Sequence, residues 1–306
     1  MGYVATLISA PDCPAVTEAL AAQVADALPQ ARLGAWLAPG IAVDILFDIA
    51  PEPGVTAGVL KKLTQELRGV IGAAPVDLVI QPEQNRRKAL LVADMDSTMI
   101  GQECIDELAD YAGFKDRVAA ITERAMRGEI AFAPALRERV ALLKGLQAAI
   151  VDRVIAERIR PNPGAITLVQ TMRAHGAYTC VVTGGFTAFM RPLAKTIGFD
   201  EYRANTLLTD SAGRLTGEVA EPVLGRDAKR DTLLALRERL RLRREQTLAA
   251  GDGANDVPMI EAAGLGVAFH GKPALRQVAD ACIDHGDLTG LLYAQGYRRE
   301  DFVEGQ

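Results

Sequence analysis

Residues 89–98 read Ala-Leu-Leu-Val-Ala-Asp-Met-Asp-Ser-Thr, and this stretch decides the fold. Its apolar residues run without interruption and then stop at two carboxylates, Asp94 and Asp96. Such a run is typical of a strand buried on both faces of a parallel sheet, and ligands gather at the carboxyl ends of such strands. Because residues i and i+2 of an extended chain point to the same side, the two carboxylates would repel each other and attract a cation. A polar turn at the end of a strand explains the stretch equally well.

Length, composition and charge bound the whole chain. Its 306 residues indicate two domains, or one domain with a large insertion. The net charge of -5 argues against a nucleic-acid surface, and no apolar run approaches the roughly 20 residues of a membrane helix. The first cationic side chain is Arg32, so the charged start of a secretory signal is not seen. Scattered cysteines without metal or redox spacing predict a cytoplasmic protein with reduced thiols; they are Cys13, Cys104, Cys180 and Cys282.

Residues 1–80 predict a small α+β domain. Strand-like and helix-like apolar patterns follow one another in the order βαββαβ, which is the plan of a ferredoxin-like fold. The order resembles the ACT-type modules attached to enzymes of amino-acid metabolism. A regulatory ligand site and a docking or dimerisation module without a ligand are equally consistent with it. Residues 81–87 are polar throughout and are interpreted as a linker.

Residues 88–306 predict a larger α/β domain. After the strand that ends at Asp94, residues 99–160 are almost wholly helical and precede the next sheet strand, so they predict an inserted helical cap. From there on buried strands alternate with helices, as in a doubly wound parallel sheet. These later strands are predicted at residues 178–182, 247–250 and 265–269.

Polar groups recur where these buried strands end. Thr183 follows one strand, Asp252 and Asp256 follow another, and Lys229 lies between them in the chain. Taken singly, these residues are explained by a helix start, a polar loop and a solvated lysine. Because the carboxyl ends of parallel strands share one edge of the sheet, all of them together with Asp94 indicate a single site.

The chain resembles the haloacid dehalogenase superfamily of phosphohydrolases over residues 88–291. Its motifs occur in the order of that family: Asp-x-Asp-Ser-Thr, Thr before Gly-Gly, a lysine, and Gly-Asp-Gly-x-Asn-Asp. The resemblance implies that Asp94 is the nucleophile that forms an aspartyl-phosphate, and that Asp96 protonates the leaving alkoxide and then activates water. It also implies that Thr183 and Lys229 bind phosphate oxygens and stabilise the charge of the transition state.

The same resemblance implies a bound Mg²⁺ ion. A phosphate dianion cannot approach several carboxylates unless a cation neutralises the charge, and Mg²⁺ needs few protein ligands beside phosphate and water. The matching ligands are the Asp94 carboxylate, the Asp96 backbone carbonyl and Asp252, and Asp256 supports the site.

Two runs of the cap are Glu103-Cys104-Ile105-Asp106-Glu107-Leu108-Ala109 and Gly128-Glu129-Ile130-Ala131-Phe132, the second leading to Leu136-Arg137-Glu138-Arg139-Val140. They closely resemble the phosphoserine phosphatases of this superfamily. Glu103 matches the glutamate that meets the substrate ammonium, and Arg139 matches the arginine that pairs with the substrate carboxylate. One anion and one bidentate cation suit the two charged groups of phosphoserine. Without the resemblance, Glu103 would be an acid at a helix start and Arg139 a surface charge. The further substrate-binding residues that the resemblance implies are Met126, Phe132, Gly184 and Asn255.

The sequence therefore predicts a Mg²⁺-dependent phosphatase that converts O-phospho-L-serine to L-serine in serine biosynthesis. We expect no nucleic-acid or membrane partner, and a homodimer is consistent with the N-terminal module. One alternative is a phosphatase or phosphotransferase for another small phosphorylated metabolite. Another is a non-catalytic amino-acid sensor, which would lack a catalytic carboxylate.

Overall fold

The computed structural model of the chain describes residues 2–49, 57–126 and 129–304, with the backbone alone at Ala57 and Met126. An N-terminal antiparallel sheet and a larger parallel sheet organise these residues. Within the described residues, no helix combines the length and the apolar character that crossing a membrane requires.

The N-terminal sheet has the predicted ferredoxin-like order. Its strands are β1 (Gly2–Ser9), β2 (Arg32–Ala38), β3 (Ala42–Asp48) and β4 (Val76–Pro82). They lie in the order β2-β3-β1-β4, and each neighbouring pair is antiparallel. Helices α1 (Glu18–Asp26) and α2 (Ala57–Ile71) pack on one face, where Leu20 and Leu67 share a core with Leu7.

Strand β4 runs on through Gln81 and Pro82, into the segment predicted as a linker. Gln81 is buried, and its Nε2 donates to the Ala294 carbonyl at 2.6 Å. Arg86, in the same segment, donates to both carboxylate oxygens of Asp44, at 2.6 and 2.9 Å. Polar groups of the segment predicted as a linker therefore hold the N-terminal sheet against the rest of the chain.

The parallel sheet follows. The further strands are β5 (Leu90–Ala93), β6 (Tyr178–Phe186), β7 (Glu201–Asn205), β8 (Leu207–Thr209), β9 (Leu215–Val219), β10 (Thr247–Gly251), β11 (Leu265–Phe269) and β12 (Ala281–Ile283). Strands β8 and β9 form an antiparallel hairpin, and the others form a parallel sheet in the order β12-β11-β10-β5-β6-β7. Strand β5 is therefore central in the sheet.

The helices fall into a cap group and a core group. The cap helices, between β5 and β6, are α3 (Cys104–Tyr111), α4 (Lys115–Met126), α5 (Phe132–Ala141) and α6 (Ile150–Arg158). The core helices are α7 (Ala165–Ala174), α8 (Thr187–Ile197), α9 (Arg226–Arg239), α10 (Val257–Ala262), α11 (Pro273–Arg276) and α12 (Gly290–Ala294). The insertion of helices after the first core strand is as predicted.

Strand β5 is buried on both faces, as its apolar run indicated. Leu91 and Ala93 lie in one core cluster with side chains of α7 and α12. Leu90 and Val92 lie in another cluster with side chains of α9 and α10. Helices thus cover both faces of the sheet, which confirms the doubly wound architecture.

Some boundaries differ from the prediction. Strands β7 and β12 were not predicted, because β7 is a mostly polar edge strand and β12 is very short. The arginine-rich sequence after helix α9 does not continue the helix, which ends at Arg239 because Arg241 adopts a left-handed φ of 54°. The Leu242 N–H then donates to the Arg237 carbonyl, which closes the helix end.

Candidate active site

The site lies where three neighbouring strands of the parallel sheet end. Strand β5 pairs with β10 on one side and with β6 on the other. Asp94 follows β5, Asp252 follows β10, and Thr183 lies in the last part of β6. The strand order therefore brings together three residues that the sequence analysis had placed at strand ends.

Three buried carboxylates form a cluster at this edge. One oxygen from each of Asp94, Asp252 and Asp256 lies within 4.8 Å of the others, an arrangement that can hold a metal ion. Asp256 is oriented by backbone N–H groups, because its Oδ2 accepts from Asp252 N at 3.2 Å and from Gly253 N at 3.0 Å. Its other oxygen faces Lys229, so Asp256 has fewer free lone pairs than Asp94 or Asp252.

Lys229 is the buried cation of the cluster. Its Nζ lies 2.6 Å from Asp94 Oδ2 and 2.6 Å from Asp256 Oδ1, and only 3% of its side chain is exposed. Burial opposes the charged ammonium, but the carboxylates of Asp256 and Asp94 outweigh burial and raise the pKa of Lys229. Burial and the Asp256 charge raise the pKa of Asp94, and Lys229 only partly opposes them.

The donor set suits a hard divalent cation. Three carboxylates face Lys229 and Lys272, whose Nζ lies 2.9 Å from Asp252 Oδ2 at the more exposed side of the cluster. The cluster therefore carries an excess of negative charge in a largely dry environment, which is costly without a further cation. Oxygen ligands of this kind are those that Mg²⁺ and similar ions prefer.

The Asp96 carboxylate points away from the carboxylate cluster. Its Oδ1 accepts from the Cys104 N–H at 3.0 Å, at the start of α3, and its Oδ2 accepts from Thr183 Oγ1 at 3.1 Å. Burial raises its pKa, although these two hydrogen bonds oppose the rise. Asp94 and Asp96 thus have different surroundings although a single residue separates them.

The Thr183-Gly184 segment lies beneath the cap. The Gly185 N–H donates to Thr183 Oγ1 at 2.9 Å. A Cβ atom at Gly184 would lie 2.8 Å from Cζ of Phe132, the first residue of α5. The Phe132 ring therefore covers the backbone at Gly184, and a larger residue there would displace the ring; 39% of Phe132 remains exposed.

Glu103 and Arg139 lie on the cap side of the site. Ser97 Oγ donates to Glu103 Oε1 at 2.7 Å, and Glu103 precedes α3. Desolvation by surrounding groups and the charge of Asp96 raise the pKa of Glu103 to about 7, although its side chain reaches the surface. Burial lowers the pKa of Arg139 on α5, and its two hydrogen bonds, to Ala135 O and Thr122 Oγ1, are long at 3.4 and 3.5 Å.

Two of the predicted substrate residues are less closely defined. The side chain of Met126 lies outside the described residues. Asn255 is exposed in the turn after Gly253, and its Oδ1 occupies the space where a Cβ of Gly253 would stand, at 2.4 Å. Asn255 therefore lies at the rim of the carboxylate cluster.

Asn205 is a buried residue of the site that the sequence analysis missed. Its Nδ2 donates to the Gly184 carbonyl at 2.8 Å and to the Leu224 carbonyl at 3.2 Å. Its Oδ1 accepts from the Leu224 N–H at 2.7 Å. The side chain thus links the Thr183-Gly184 segment to the loop before α9, which carries Lys229. No sequence signal identified it, because β7 itself was not predicted.

Comparison with known proteins agrees with this geometry. The family model of the haloacid dehalogenase-like hydrolases matches residues 91–261. The chain is 47% identical over 208 residues to a phosphoserine phosphatase of Polaromonas sp. (strain JS666 / ATCC BAA-500), covering 66% of this chain and 88% of the relative. It is 41% identical over 271 residues to Phosphoserine phosphatase SerB2 of Mycobacterium tuberculosis (strain ATCC 25618 / H37Rv), covering 85% of this chain and 66% of that longer relative.

A solved structure is similar over the parallel-sheet part. It is the phospho-aspartyl intermediate analogue of a phosphoserine phosphatase, with a TM-score of 0.62 and 38% identity, covering 70% of this chain and all of that chain (100%). The chain therefore belongs to the haloacid dehalogenase-like hydrolases and, within them, to the phosphoserine phosphatase family.

Proposed function

We propose that this chain hydrolyses O-phospho-L-serine to L-serine and phosphate through a phosphoaspartyl intermediate. The observation that carries the proposal is buried Asp94, which belongs to the carboxylate cluster and contacts Lys229 at 2.6 Å. The phospho-aspartyl analogue of a relative at 38% identity supports the same chemistry.

In the first step an Asp94 carboxylate oxygen attacks phosphorus, and the bond from phosphorus to the serine oxygen breaks. Asp96 gives a proton to the leaving serine alkoxide; the direction of its pKa, raised by burial, favours a protonated carboxyl. In the second step Asp96 takes a proton from water, the water oxygen attacks phosphorus, and the Asp94 carboxylate is released with phosphate.

Thr183 and Lys229 are assigned to the phosphate oxygens. Lys229 brings a positive charge next to the attacking carboxylate, and Thr183 brings a hydroxyl beside Gly184. Donors fixed by burial before the reaction stabilise the added charge of the transition state without reorganising.

We further propose that Mg²⁺ is the ion of the cluster, with Asp94, the Asp96 backbone carbonyl and Asp252 as ligands and Asp256 in support. The excess of carboxylates over ammonium groups supports this choice. When bound, such an ion supplies charge neutralisation between the carboxylates and the substrate phosphate.

The cap is assigned to recognition of the serine part of the substrate. Glu103 offers an anion for the ammonium, and the partly buried Arg139 offers a fork of donors for the carboxylate. Phe132, and by the family resemblance Met126, close the site above Gly184. Asn255, next to Gly253 at the carboxylate cluster, is assigned to substrate binding.

The domain division stays a proposal: residues 1–80 as an ACT-like module, 81–87 as the connection, and 88–306 as the catalytic part with its cap at 99–160. A cytoplasmic location also stays a prediction, supported by four cysteines that are free thiols. A homodimer stays a prediction too, with the N-terminal module as the expected contact.

The decisive experiment is phosphate release over a panel of phosphoesters, with and without Mg²⁺. We expect kcat/KM to be highest for O-phospho-L-serine and lower for O-phosphoethanolamine, which lacks the carboxylate, and chelation of the metal should abolish the activity. A higher kcat/KM for an unrelated phosphorylated metabolite would show the alternative substrate class instead.

A further inference from the structure

Asp77 joins the N-terminal sheet to a loop of the catalytic part. It lies on β4, is 3% exposed, and its carboxylate accepts hydrogen bonds from successive backbone N–H groups of the loop after β12. The donors are Asp284 N at 2.8 Å, His285 N at 3.1 Å and Gly286 N at 2.8 Å. One buried side chain thus satisfies three backbone groups that are more than 200 residues away in the chain.

That loop is connected in turn to the segment that contains Lys272, beside the carboxylate cluster. The His270 N–H donates to the Ile283 carbonyl at 2.8 Å, directly before the residues that Asp77 holds. The side chain of Asp284 also pairs with Arg276 at the end of α11. The end of β12 and the loop after it therefore contact both sides of the short segment that contains Lys272.

Lys272 completes the connection to Asp252. Its backbone N–H donates to the Asp252 carbonyl at 2.8 Å, and its Nζ lies 2.9 Å from Asp252 Oδ2. Hydrogen bonds thus run from Asp77 through the loop after β12 and the Lys272 segment to a carboxylate of the cluster. Each loop on this route follows a strand of the same sheet edge, β12, β11 or β10.

A cavity of about 640 Å³ lies along the same route. The residues around it come from the N-terminal module and from the catalytic part, and they include Pro11, Asp12, Asp252, Lys272, His285 and Gly286. The N-terminal module therefore borders an approach to Asp252, and this approach is also lined by Ser97 and Gly101 at the beginning of the cap.

We propose that Asp77 is a positioning residue through which the N-terminal module sets the geometry of Asp252 and hence the affinity of the carboxylate cluster for its divalent cation. The inference rests on the proposed function, because it takes the cluster to be a cation site. Residues that hold metal ligands in place fix the orientation of those ligands, so their removal usually changes the affinity for the metal.

The test compares metal binding by the full-length chain and its Asp77→Asn variant, measured by Mn²⁺ titration in electron paramagnetic resonance without substrate. We expect Mn²⁺ to bind roughly five- to tenfold more weakly in the variant. The metal concentration for half-maximal phosphate release should rise by the same factor, while kcat at saturating metal changes less than about twofold.

The matched control is Asp44→Asn. Asp44 is a second buried carboxylate of the N-terminal sheet, but its partner Arg86 contacts the Ala294 carbonyl on α12, which is not one of the groups on the route to Asp252. We expect the control to lower the melting temperature with unchanged Mn²⁺ affinity. Unchanged affinity in Asp77→Asn, or an equal loss in Asp44→Asn, would overturn the proposal.

If Asp77→Asn does not fold, Asp77→Ser keeps one acceptor oxygen and should give a smaller weakening of Mn²⁺ binding. Unchanged binding in that variant would equally overturn the proposal. Because the titration contains no phosphoester, its result is separate from the substrate assignment. A chain that binds Mn²⁺ as expected but does not release phosphate from phosphoserine would contradict the proposed function alone.

Discussion

Buried like charges dominate the environment of Asp94. Burial and the Asp256 carboxylate raise its pKa, and Lys229 at 2.6 Å is the neighbour that keeps an ionised form accessible. A carboxylate in this environment lowers the stability of the fold. It suits a nucleophile or a metal ligand, because a bound cation and substrate relieve the repulsion between the charges.

The first prediction concerns the nucleophile. Asp94→Asn should lower phosphate release from phosphoserine by about a thousandfold or more, because an amide oxygen is a poor nucleophile. The melting temperature should not fall, since one of the mutually repelling carboxylates is removed. Phosphate release and calorimetry measure the two effects, and near-normal phosphate release would show that Asp94 is not the nucleophile.

A second residue-scale prediction concerns the substrate carboxylate. Arg139→Ala should lower kcat/KM for phosphoserine by roughly 30-fold, about the worth of a charge-assisted pair, and that for phosphoethanolamine by less than about threefold. Arg137→Ala is the matched control, because Arg137 lies two residues away on the same helix and pairs with Glu221 at 2.6 Å. If Arg139→Ala impairs both substrates equally, its assignment is wrong.

Among single residues, those that follow long apolar strands were predictable. Asp94 and Asp252 stand directly after such strands, and Thr183 and Gly184 follow a third apolar run, so pattern alone placed them at one sheet edge. Asn205 was not predictable, because its hydrogen bonds join the end of β6 to the loop before α9, two segments that meet only in the folded chain.

At the scale of elements, the edge strand β7 holds two catalytic segments together through Asn205. Asn205→Ala removes three hydrogen bonds and leaves partly buried backbone groups of Leu224 and Gly184 without this partner. We expect a loss of about 2–4 kcal/mol in the free energy of unfolding, measured in urea.

The control for Asn205 is Thr209→Ala on the neighbouring hairpin strand β8, where the side chain is exposed. It should cost less than about 0.5 kcal/mol. Equal effects of the two substitutions would show that the buried amide does not link the two segments.

The elements differ in how far sequence predicts them. Central strands such as β5 have continuous apolar runs because both faces are covered by helices, and their positions were predicted closely. Edge strands need no continuous apolar run, so β7 has a polar sequence typical of a loop. The end of α9 depends on the left-handed Arg241, a conformation for which the residue type gives no signal.

On the scale of the whole molecule, the attachment of the N-terminal sheet depends on buried polar contacts. Arg86, Gln81 and Asp77 each connect residues about two hundred positions apart, and no local pattern identifies such partners. The ferredoxin-like order was predictable from alternation, whereas the way that the sheet packs on the catalytic part was not.

A pH-dependent prediction comes from the same junction. Lys88 is buried, and its Nζ donates to the carbonyls of Asn85 and Glu245 at 2.9 and 3.0 Å. Desolvation lowers its pKa from 10.5 to about 8. Below pH 8 Lys88 is charged in both the folded and the unfolded chain, so folding bears the full cost of burying this charge. Between pH 8 and 10.5 the unfolded chain binds more protons than the folded chain, so the free energy of unfolding rises with pH.

The free energy of unfolding of the wild type should therefore rise relative to Lys88→Met by up to about 3 kcal/mol between pH 8 and 10.5. Urea unfolding of both proteins across this range measures the difference. A difference that does not vary with pH would show that Lys88 titrates normally in the folded chain.

The position of β5 in the middle of the sheet has a consequence for synthesis on the ribosome. Its neighbour β6 follows only after the whole cap, and its other neighbour β10 pairs from roughly 150 residues further along the chain. A nascent chain must carry the most apolar strand with an unpaired edge until β10 emerges, a state prone to aggregation. The N-terminal sheet, whose strands lie close together in the chain, can be complete long before then. The ends of β5 and β10, which carry Asp94 and Asp252, therefore come together late in the synthesis of this enzyme.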